Sequence, residues 1–290
     1  MDRPFRHTHD LEEVIATDVT RALAEDVRGG DLTAALIPPA ARGHAKVIAR
    51  TKGVIAGCAW FERCFMELDP DCEVFWHVED GESVVADTQL CEIAGNARAM
   101  LTSERTALNF LQTLSAIATR TAKFVASTAG TKARILDTRK TLPGLRMASK
   151  YAVHMGGGHN HRIGLFDGIL IKENHIVAAG GIKPALKSAF ALVQHQAPAD
   201  TAIQVEVETL DQLREALDAG ATLILLDNLS NAKIREAVKL AAGRAELEAS
   251  GGVNLQTVRG IAETGVDRIS IGSLTKDIEA LDLSMRFSVH

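Results

Sequence analysis

The second half of the chain alternates short apolar runs with amphipathic segments. Six runs rich in Ile, Val, Leu and Ala lie at residues 134–137, 168–171, 202–207, 223–226, 246–249 and 268–271. Between most of them, apolar residues recur at spacings of three and four, at residues 182–195, 210–219, 231–241 and 255–264, which is typical of helices. Repeated strand–helix units with nearly continuous apolar strands predict a parallel sheet covered by helices. An α/β barrel with slightly fewer than eight strands fits best, and a doubly wound open sheet is the alternative.

The first hundred residues have a different pattern, which predicts a small α+β domain. A helical period at 11–24 and a glycine-containing loop at 27–33 precede strand-like runs at 45–49, 74–78 and 89–93. A long helix is then predicted over residues 103–127, capped by Thr102 or Ser103, and it could join two domains. Arg105 falls in the predicted first turn, where the helix dipole disfavours a cation. That mismatch suggests a task outside the helix, although an ordinary surface arginine is the alternative.

Composition and charge narrow the function classes. No run reaches the roughly 18 apolar residues that a membrane span needs, and no apolar stretch follows the basic residues at the start. We therefore expect a soluble, cytoplasmic protein with no membrane partner. The net charge of −5 argues against nucleic acid as a partner. No Cys-x-x-Cys pair exists, so the four cysteines are predicted to be reduced, mostly buried and not zinc ligands: Cys58, Cys64, Cys72 and Cys91.

The basic residues are concentrated in one stretch. Residues 132–172 carry eight basic and two acidic side chains, a charge of +6, which leaves −11 for the rest of the chain. A local basic block on an acidic protein indicates a site for a small, highly charged anion. A solvated basic face is the alternative.

Polar or glycine-rich residues follow nearly every predicted strand, as DTRKT, KENH, EVET, LDN, ASGG and IGS. In α/β barrels the carboxyl ends of the strands carry the chemistry. Glu206 and Asp227 stand near the ends of two strands, where carboxylates can hold Mg²⁺, bind ribose hydroxyls or stabilise positive charge on a sugar carbon. Helix capping or a salt bridge is the alternative. Glu208 is an equal candidate to Glu206, because alternation would place both on one face.

Glycines mark two further features. The sequence Ser250-Gly251-Gly252 before a predicted helix offers backbone N–H groups and a helix N-terminus to a phosphate, and Gly272 and Ser273 follow the last strand. Three successive glycines at 156–158 suit a flexible loop that approaches a ligand.

The segment HNHR contains the residues best suited to bind a carboxylate. His161 and Arg162 together could hold one through charge-assisted hydrogen bonds. A metal site built on His159 and His161, with His154 or His175 as third ligand, is the alternative, but the neighbouring cations disfavour it.

Taken in order, these segments resemble one family. EDVRGGDLT, SERTALNFLQ, DTRKTLPGLR, GGGHNHRIGLFDGILIKENH, VEVET, LLDN, SGGVN and IGSLT extend from residue 25 to residue 275. Together they resemble the quinolinate phosphoribosyltransferases, also called carboxylating nicotinate-nucleotide pyrophosphorylases. The resemblance implies an N-terminal α/β sandwich domain, residues 1–115 joined by 276–290, and an open seven-stranded α/β barrel of the type II phosphoribosyltransferases, residues 116–275. It also implies a homodimer whose active site the neighbouring subunit completes.

The resemblance assigns expected roles to the matching positions. Arg105 would come from the partner subunit. Arg139, His161 and Arg162 would hold the carboxylates of quinolinate, and Lys140 and Lys172 would lie near the substrate and pyrophosphate. Glu206 and Asp227 would bind Mg²⁺ and the ribose. The 5-phosphate would lie against Ser250, Gly251, Gly252 and Gly272.

The implied reaction transfers phosphoribose from 5-phosphoribosyl-1-pyrophosphate to quinolinate, with loss of pyrophosphate and CO₂, to give nicotinate mononucleotide in NAD synthesis. On this reading Lys140, Glu206 and Asp227 are catalytic. Two rivals remain: a relative with another acceptor, such as the molybdenum-transport-associated members, and a barrel that binds a phosphorylated ligand without turnover. A zinc-dependent hydrolase built on the histidines ranks last.

Overall fold

The computed structural model describes residues 8–196, 198 and 200–289. The helices are α1 (Thr8–Val27), α2 (Cys58–Met66), α3 (Ala97–Ser127), α4 (Arg146–Met155), α5 (Glu173–Ala179), α6 (Ile182–His195), α7 (Leu210–Asp218), α8 (Asn231–Ala241), α9 (Val258–Ala262) and α10 (Ser273–Lys276). The strands are β1 (Arg42–Ala49), β2 (Gly53–Val54), β3 (Glu73–Trp76), β4 (Ser83–Val84), β5 (Gln89–Asn96), β6 (Arg134–Leu136), β7 (Gly168–Ile171), β8 (Ala202–Val207), β9 (Leu223–Asp227), β10 (Glu246–Ser250), β11 (Arg268–Ser270) and β12 (Leu283–Val289).

The chain packs as two compact units. The parallel-sheet unit contains residues 123–140 and 158–273, and the antiparallel-sheet unit contains the described residues of 3–122, 141–157 and 274–290. This division differs from the predicted domain boundary at 115/116 in two places. It falls inside α3, at Ala122/Lys123, and it assigns 141–157 to the antiparallel-sheet unit. One reason is that α4 contacts α1 in that unit.

The parallel-sheet unit has the strand order of a barrel. Its six strands lie in the order β6-β11-β10-β9-β8-β7, and every recorded pairing is parallel. The first strand in the chain therefore neighbours the last, whereas a doubly wound sheet would reverse direction at a switch point. All six predicted strands are confirmed. An isolated parallel bridge between Leu136 and His159 lies beside β6 at the edge of the sheet. Where the family resemblance implied a seventh strand, the described residues show this single bridge.

One face of this sheet is lined by polar residues at alternate positions. Gln204 and Glu206 in β8, and Glu248 and Ser250 in β10, occupy positions two apart, while the intervening Val205 is fully buried. Successive side chains of a strand point to opposite faces, so apolar residues lie beneath the helices and polar residues share the other face.

That polar face also carries an ion-pair cluster at the start of the strands. Arg134 Nη2 donates to Glu246 Oε1 at 3.0 Å, and Arg268 donates to Glu246 Oε2. Arg268 is only 7% exposed, so Glu246 provides the negative charge that a buried guanidinium needs.

The antiparallel-sheet unit is built on the order β12-β1-β5-β3. The C-terminal strand pairs with β1 through residues such as Lys46 and Arg286. Trp60, Phe61 and Phe65 of α2 are fully buried or nearly so and form part of its core, although no helix was predicted at residues 58–66.

The long helix begins earlier than the sequence predicts. It starts at Ala97, and Asn96 Oδ1 accepts the backbone N–H groups of Arg98 at 3.0 Å and Ala99 at 3.2 Å. The predicted caps at Thr102 and Ser103 are wrong: both hydroxyls donate to carbonyl oxygens four residues earlier, inside the helix. Arg105 is therefore in about the third turn, and the argument from the helix dipole does not apply to it.

The glycine triplet has a packing role that the sequence did not reveal. Gly156 follows the last residue of α4, and a Cβ there would overlap the carbonyl oxygen of Ala118 and lie 2.7 Å from Cβ of Thr121. Gly156 thus permits α4 to end against the backbone of α3. Close packing is therefore a sufficient reason for glycine at this residue.

The cysteines are free, and Cys64, Cys72 and Cys91 are buried. Burial raises the pKa of Cys64 to about 12 and that of Cys72 to about 11. The cysteines are thus mostly buried, as predicted.

Among the described helices, no single one has the length and apolar character needed to cross a membrane. By length and composition alone, α5 and α6 together meet that requirement as a pair bent by 93°.

Candidate functional site

The predicted site residues of the parallel-sheet unit cluster at strand ends and in the segment that leads to β7. Arg139 and Lys140 follow β6, Lys172 follows β7, Asp227 and Ser250 end β9 and β10, and Gly251, Gly252 and Gly272 follow β10 and β11. Glu206 is the penultimate residue of β8. Because all six strands are parallel, these ends lie at the same edge of the sheet. The predicted association of charged and glycine-rich residues with strand ends is confirmed.

Arg139 and Arg162 are two partly buried cations beside this edge. Burial, and then the neighbouring charge of Arg139, lower the pKa of Arg162, while Asp167 opposes the shift. Nη1 of Arg162 donates to the carbonyl oxygen of Gly168 at 3.0 Å, which holds the side chain in place. Two partly buried like charges repel each other, so an anion placed between them is favoured. The pair is suited to planar carboxylates, which arginine binds through two parallel hydrogen bonds.

His161 is held from both ring nitrogens. Its Nδ1 accepts the backbone N–H of Arg162 at 2.9 Å, and its Nε2 lies 2.9 Å from Gln204 Oε1. An Nδ1 that accepts leaves the proton on Nε2, which therefore donates to the amide oxygen. Nε2 also lies 3.4 Å from Oε1 of Glu248. The His161 ring thus connects the backbone of Arg162 to the polar face of the sheet.

Asp137 anchors the same segment to the end of β6. Its Oδ1 accepts the backbone N–H of His161 at 2.8 Å, and its Oδ2 accepts Nδ2 of Asn160 at 2.7 Å. The backbone N–H of Asp137 in turn donates to the carbonyl oxygen of His159 at 3.1 Å. The side chain is fully buried, so its charge is compensated by these donors.

Glu206 forms an ion pair with Lys172 across neighbouring strands. The Glu206 side chain is 13% exposed and the Lys172 side chain 48% exposed, so the carboxylate lies inside and the ammonium reaches solvent. Glu208 differs: it is exposed, it lies beyond the end of β8, and its backbone N–H donates to Gln212 Oε1 at 2.7 Å. The geometry therefore brings Glu206, and not Glu208, into contact with another predicted site residue.

The glycine-rich turn after β10 is shaped by Asn228. Its backbone N–H donates to the carbonyl oxygen of Ser250 at 2.9 Å, and its Nδ2 donates to Oδ2 of Asp227 at 2.8 Å. Gly251 has φ of +101°, and a Cβ there would overlap Oδ1 of Asn228. Gly252 has φ of +61° with open space around it. The helix predicted at 255–264 is present but shorter, as α9 (Val258–Ala262), so its N-terminus lies six residues beyond Gly252.

We expect Gly251→Ala to lower the free energy of unfolding by about 1–3 kcal/mol, because it combines strain at positive φ with displacement of Asn228. Gly180→Ala is the matched control, since Gly180 also has positive φ, +82°, but nothing lies within 4 Å of its would-be Cβ. Urea unfolding of both variants measures the difference. Equal losses would show that Asn228 does not constrain the turn.

Lys140 lies against the other glycine of the site. A Cβ on Gly272 would be 2.8 Å from Cδ and 3.7 Å from Nζ of Lys140. The backbone N–H of Lys140 donates to Oγ1 of Thr138 at 3.0 Å, which fixes the turn after β6. Because Gly272 has no side chain, the Lys140 side chain can pass over this residue, just beyond the end of β11.

Two carboxylates are available for a metal ion at this edge. Ser250 pairs with Asp227, and Glu206 pairs with Leu225, so Asp227 and Glu206 are diagonal neighbours on one face. Within the described part of the chain, no group of three or more His, Cys, Asp or Glu is placed to hold a metal by itself. One or two carboxylates completed by substrate phosphates are the arrangement that Mg²⁺ usually adopts.

Arg105 belongs to the antiparallel-sheet unit, where it is exposed on α3. It lines a cavity of about 260 Å³ together with Glu25 and Asp26 of α1. Among the predicted site residues, it is the one outside the parallel-sheet unit.

Sequence reasoning missed four residues that shape the site: Asp137, Gln204, Asn228 and Glu248. Gln204 and Glu248 left a signal, since each interrupts an apolar strand at a position two residues before a predicted site residue. Asn228 left a weaker one, because it adopts φ of +55°, which asparagine tolerates better than most residues.

Two family models match the sequence. Residues 31–115 match the N-terminal domain of quinolinate phosphoribosyl transferase, and residues 117–286 match its C-terminal domain. The chain is 43% identical over 300 residues to a quinolinate phosphoribosyltransferase [decarboxylating] of Nicotiana tabacum named as mitochondrial, covering 98% of the chain and 84% of that protein. It is 42% identical over 261 residues to a probable nicotinate-nucleotide pyrophosphorylase [carboxylating] of Bacillus subtilis, covering 90% and 89% respectively.

The fold agrees with the sequence comparison. The structure of the nicotinate-nucleotide pyrophosphorylase from Francisella tularensis superposes with a TM-score of 0.91 at 43% identity, covering 95% of this chain and 96% of that one. Both domains match over nearly the full length, and the chain therefore belongs to the quinolinate phosphoribosyltransferase family.

Proposed function

We propose that this protein transfers the phosphoribosyl group of 5-phosphoribosyl-1-pyrophosphate to quinolinate, with decarboxylation, and so makes nicotinate mononucleotide, pyrophosphate and CO₂ for NAD synthesis. One relative is named quinolinate phosphoribosyltransferase [decarboxylating] and another probable nicotinate-nucleotide pyrophosphorylase [carboxylating], names that describe this reaction from its two directions. The structural observation that carries the proposal is the placement of Arg139 just after β6 and Arg162 just before β7, where the charge of Arg139 acts on Arg162. An acceptor with two carboxylates matches that pair.

The acceptor site follows from the same pair. Arg139 and Arg162 each offer several N–H donors in a plane, which suits the two carboxylates of quinolinate. Both ring nitrogens of His161 already have partners inside the protein. We therefore propose that His161 supports binding by orienting Arg162, in addition to lying in the acceptor site as the family resemblance implies.

The donor site lies along the glycine turns. We propose that the 5-phosphate binds the backbone N–H groups around Gly251 and Gly252, both of which have positive φ, beside the open space at Gly252. Lys140 and Lys172 then face the pyrophosphate. When bound at Glu206 and Asp227, Mg²⁺ would neutralise charge on the departing pyrophosphate. In the structure Glu206 is paired with Lys172, so this binding would require the ion pair to rearrange.

In the first step the pyridine nitrogen of quinolinate forms a bond to the anomeric carbon of the ribose as the bond to pyrophosphate breaks. Positive charge builds on the sugar in such a displacement, as in glycoside cleavage. The carboxylates of Glu206 and Asp227 are suited to stabilise it. In the second step the 2-carboxylate leaves as CO₂, the cationic ring nitrogen stabilises the remaining electron pair, and a proton adds to that carbon. No protein nucleophile is required.

We also propose that the protein is a homodimer and that Arg105 of the partner subunit contributes to the site. Arg105 is an exposed cation in a chain whose site residues otherwise lie in the parallel-sheet unit. A cytoplasmic location stays a prediction from the sequence, since relatives from tobacco and Arabidopsis thaliana are named mitochondrial and chloroplastic.

The test is a direct assay with quinolinate, 5-phosphoribosyl-1-pyrophosphate and Mg²⁺, with nicotinate as the control acceptor. Formation of nicotinate mononucleotide and CO₂ in equal amounts from quinolinate is the expected result. No product with quinolinate, from folded protein, would overturn the proposal and leave a different acceptor or a binding role.

We expect Arg162→Ala to raise the KM for quinolinate by about 10–100-fold, because a charge-assisted hydrogen bond contributes roughly 1.5–3 kcal/mol. The KM for the phosphoribosyl donor should change much less. Arg244→Ala is the control: Arg244 also donates to a backbone carbonyl, that of Leu240 at 3.2 Å, but it lies near the start of β10. Equal increases in both KM values would contradict a role in acceptor binding.

A further inference from the structure

Glu248 is a buried carboxylate to which the proposed chemistry gives no role. It lies in the middle of β10 and is 0% exposed. Burial raises its pKa, but hydrogen bonding from His161, Ser270 and Gln204 outweighs that effect and holds its pKa below the usual value. An ionised carboxylate in such a place destabilises the fold unless donors surround it. The ionised carboxylate therefore acts on the hydrogen-bond donors that surround it.

The hydrogen bonds between Glu248 and Arg162 form a series in which every donor points toward Glu248. Its Oε2 accepts Nε2 of Gln204 at 3.0 Å, and Oε1 of Gln204 accepts from Nε2 of His161 at 2.9 Å. Nδ1 of His161 then accepts the backbone N–H of Arg162 at 2.9 Å. Each group donates toward Glu248 in turn, and the series ends there because a carboxylate only accepts.

We infer that Glu248, acting through Gln204 and His161, is a positioning residue for Arg162 and so for binding of the dicarboxylate acceptor. The identity of the acceptor rests on the proposed function, whereas the hydrogen-bond direction rests on the structure alone. Glu248 does not itself contact the acceptor in this inference. It sets which nitrogen of His161 carries the proton, and thereby whether the backbone of Arg162 has an acceptor.

Glu248→Gln breaks this direction while keeping the size of the side chain. The new amide presents N–H groups to Gln204 or to His161, both of which already donate toward this position. If the Gln204 amide rotates to accept, its own N–H groups face Nε2 of His161. His161 must then move its proton to Nδ1, where it opposes the N–H of Arg162. If the new amide oxygen instead keeps accepting from Gln204, the amide N–H groups take the position of Oε1 and meet Nε2–H of His161, which lies 3.4 Å from that atom. Each orientation therefore sets one donor against another, which hydrogen bonding disfavours.

The double variant Glu248→Gln with Gln204→Glu restores the direction. A carboxylate at position 204 accepts from the amide at position 248 and from Nε2 of His161, so Nδ1 again accepts from Arg162. The net charge and the side-chain volumes are those of the original pair. A role that needs only bulk at these positions would not distinguish the single from the double variant.

Glu246→Gln is the matched control. Glu246 lies two residues earlier on the same face of β10, and its partners are Arg134 and Arg268, not His161. Like Glu248→Gln, the Glu246→Gln substitution removes one carboxylate from β10, here from the ion pairs with Arg134 and Arg268. We expect Glu246→Gln to lower stability without changing the KM for quinolinate.

The experiment measures KM for each substrate, thermal stability, and the ¹⁵N chemical shifts of the His161 ring, assigned with His161→Gln. For Glu248→Gln we expect KM for quinolinate to rise about tenfold, KM for the donor to stay within about twofold, and the His161 proton to move to Nδ1. The double variant should return all three to the original values.

An unchanged KM for quinolinate with an unchanged His161 tautomer in folded Glu248→Gln would overturn the inference. If the single variant does not fold, the double variant decides: a folded protein with the original KM supports the inference, and an unfolded one, or one with raised KM, overturns it. Failure of the proposed function is distinguishable, because the tautomer of His161 is measured without turnover.

Discussion

Lys140→Ala is expected to reduce kcat by about 10²–10³-fold with both substrates saturating. The side chain crosses Gly272 at the end of β11, and its Nζ would be 3.7 Å from a Cβ there. In the proposed reaction this ammonium faces the pyrophosphate as negative charge accumulates on it. Removal of one preorganised electrostatic contact of this kind typically has an effect of that size.

Two variants make this result specific. Gly272→Ala keeps the charge but displaces the lysine, since the new Cβ would lie 2.8 Å from Cδ of Lys140, so we expect a smaller loss of kcat. Lys132→Ala is the control, because Lys132 donates to Asp267 at 2.6 Å before the start of β6. Full kcat in folded Lys140→Ala would remove Lys140 from the proposed mechanism.

A mixture of Arg105→Ala and Lys140→Ala, each nearly inactive alone, is expected to recover about a quarter of the original activity. In a hybrid dimer the subunit that carries Arg105→Ala keeps Lys140, and its neighbour supplies the intact Arg105. One of the two sites is then complete. Random exchange makes about half of the dimers hybrid, which gives the stated fraction.

The measurement is turnover after subunit exchange, with exchange followed by a mass or affinity label on one variant. As a control, Arg105→Ala exchanged with a second copy of itself should recover nothing. If labelled hybrids form and activity stays at the level of the separate variants, Arg105 acts within its own subunit or not at all.

The sequence determined the strands of the parallel sheet because they are buried on both faces. Such strands form apolar runs that stand out from amphipathic helices, and all six were located from that contrast. The polar residues that follow these strands also stand out in the sequence, because they end the apolar runs. Arg139, Lys140, Asp227 and Gly272 could therefore be placed at strand ends before any packing was known.

Helix boundaries were less well determined. Residues 97–102 precede the predicted start of α3, yet they are helical because Asn96 caps them from the end of β5. Thr102 and Ser103 resemble caps in the sequence, but their hydroxyls bond within the helix. Cap residues are short and polar wherever they occur, so only the backbone conformation separates a cap from an internal residue.

The family was evident from motifs in order, but the roles of neighbouring residues were not. The sequence left Glu206 and Glu208 equivalent, and the structure separates them because β8 ends at Val207 and Glu206 reaches Lys172. It offered His161 as a group for an anion, and the structure shows both its ring nitrogens engaged. Such choices depend on which atoms lie within about 3 Å of each other.

By itself, the sequence determined the strand–helix repeat, the position of the charged strand ends and the family, because burial and local chemistry leave a pattern along the chain. Only the tertiary structure decided the barrel order of the strands, the direction of the hydrogen bonds from Arg162 to Glu248, and the reason for glycine at 251 and 272. Those features join residues that are distant in the sequence, such as His161 and Glu248. A contact between distant segments is fixed by packing and not by local preference.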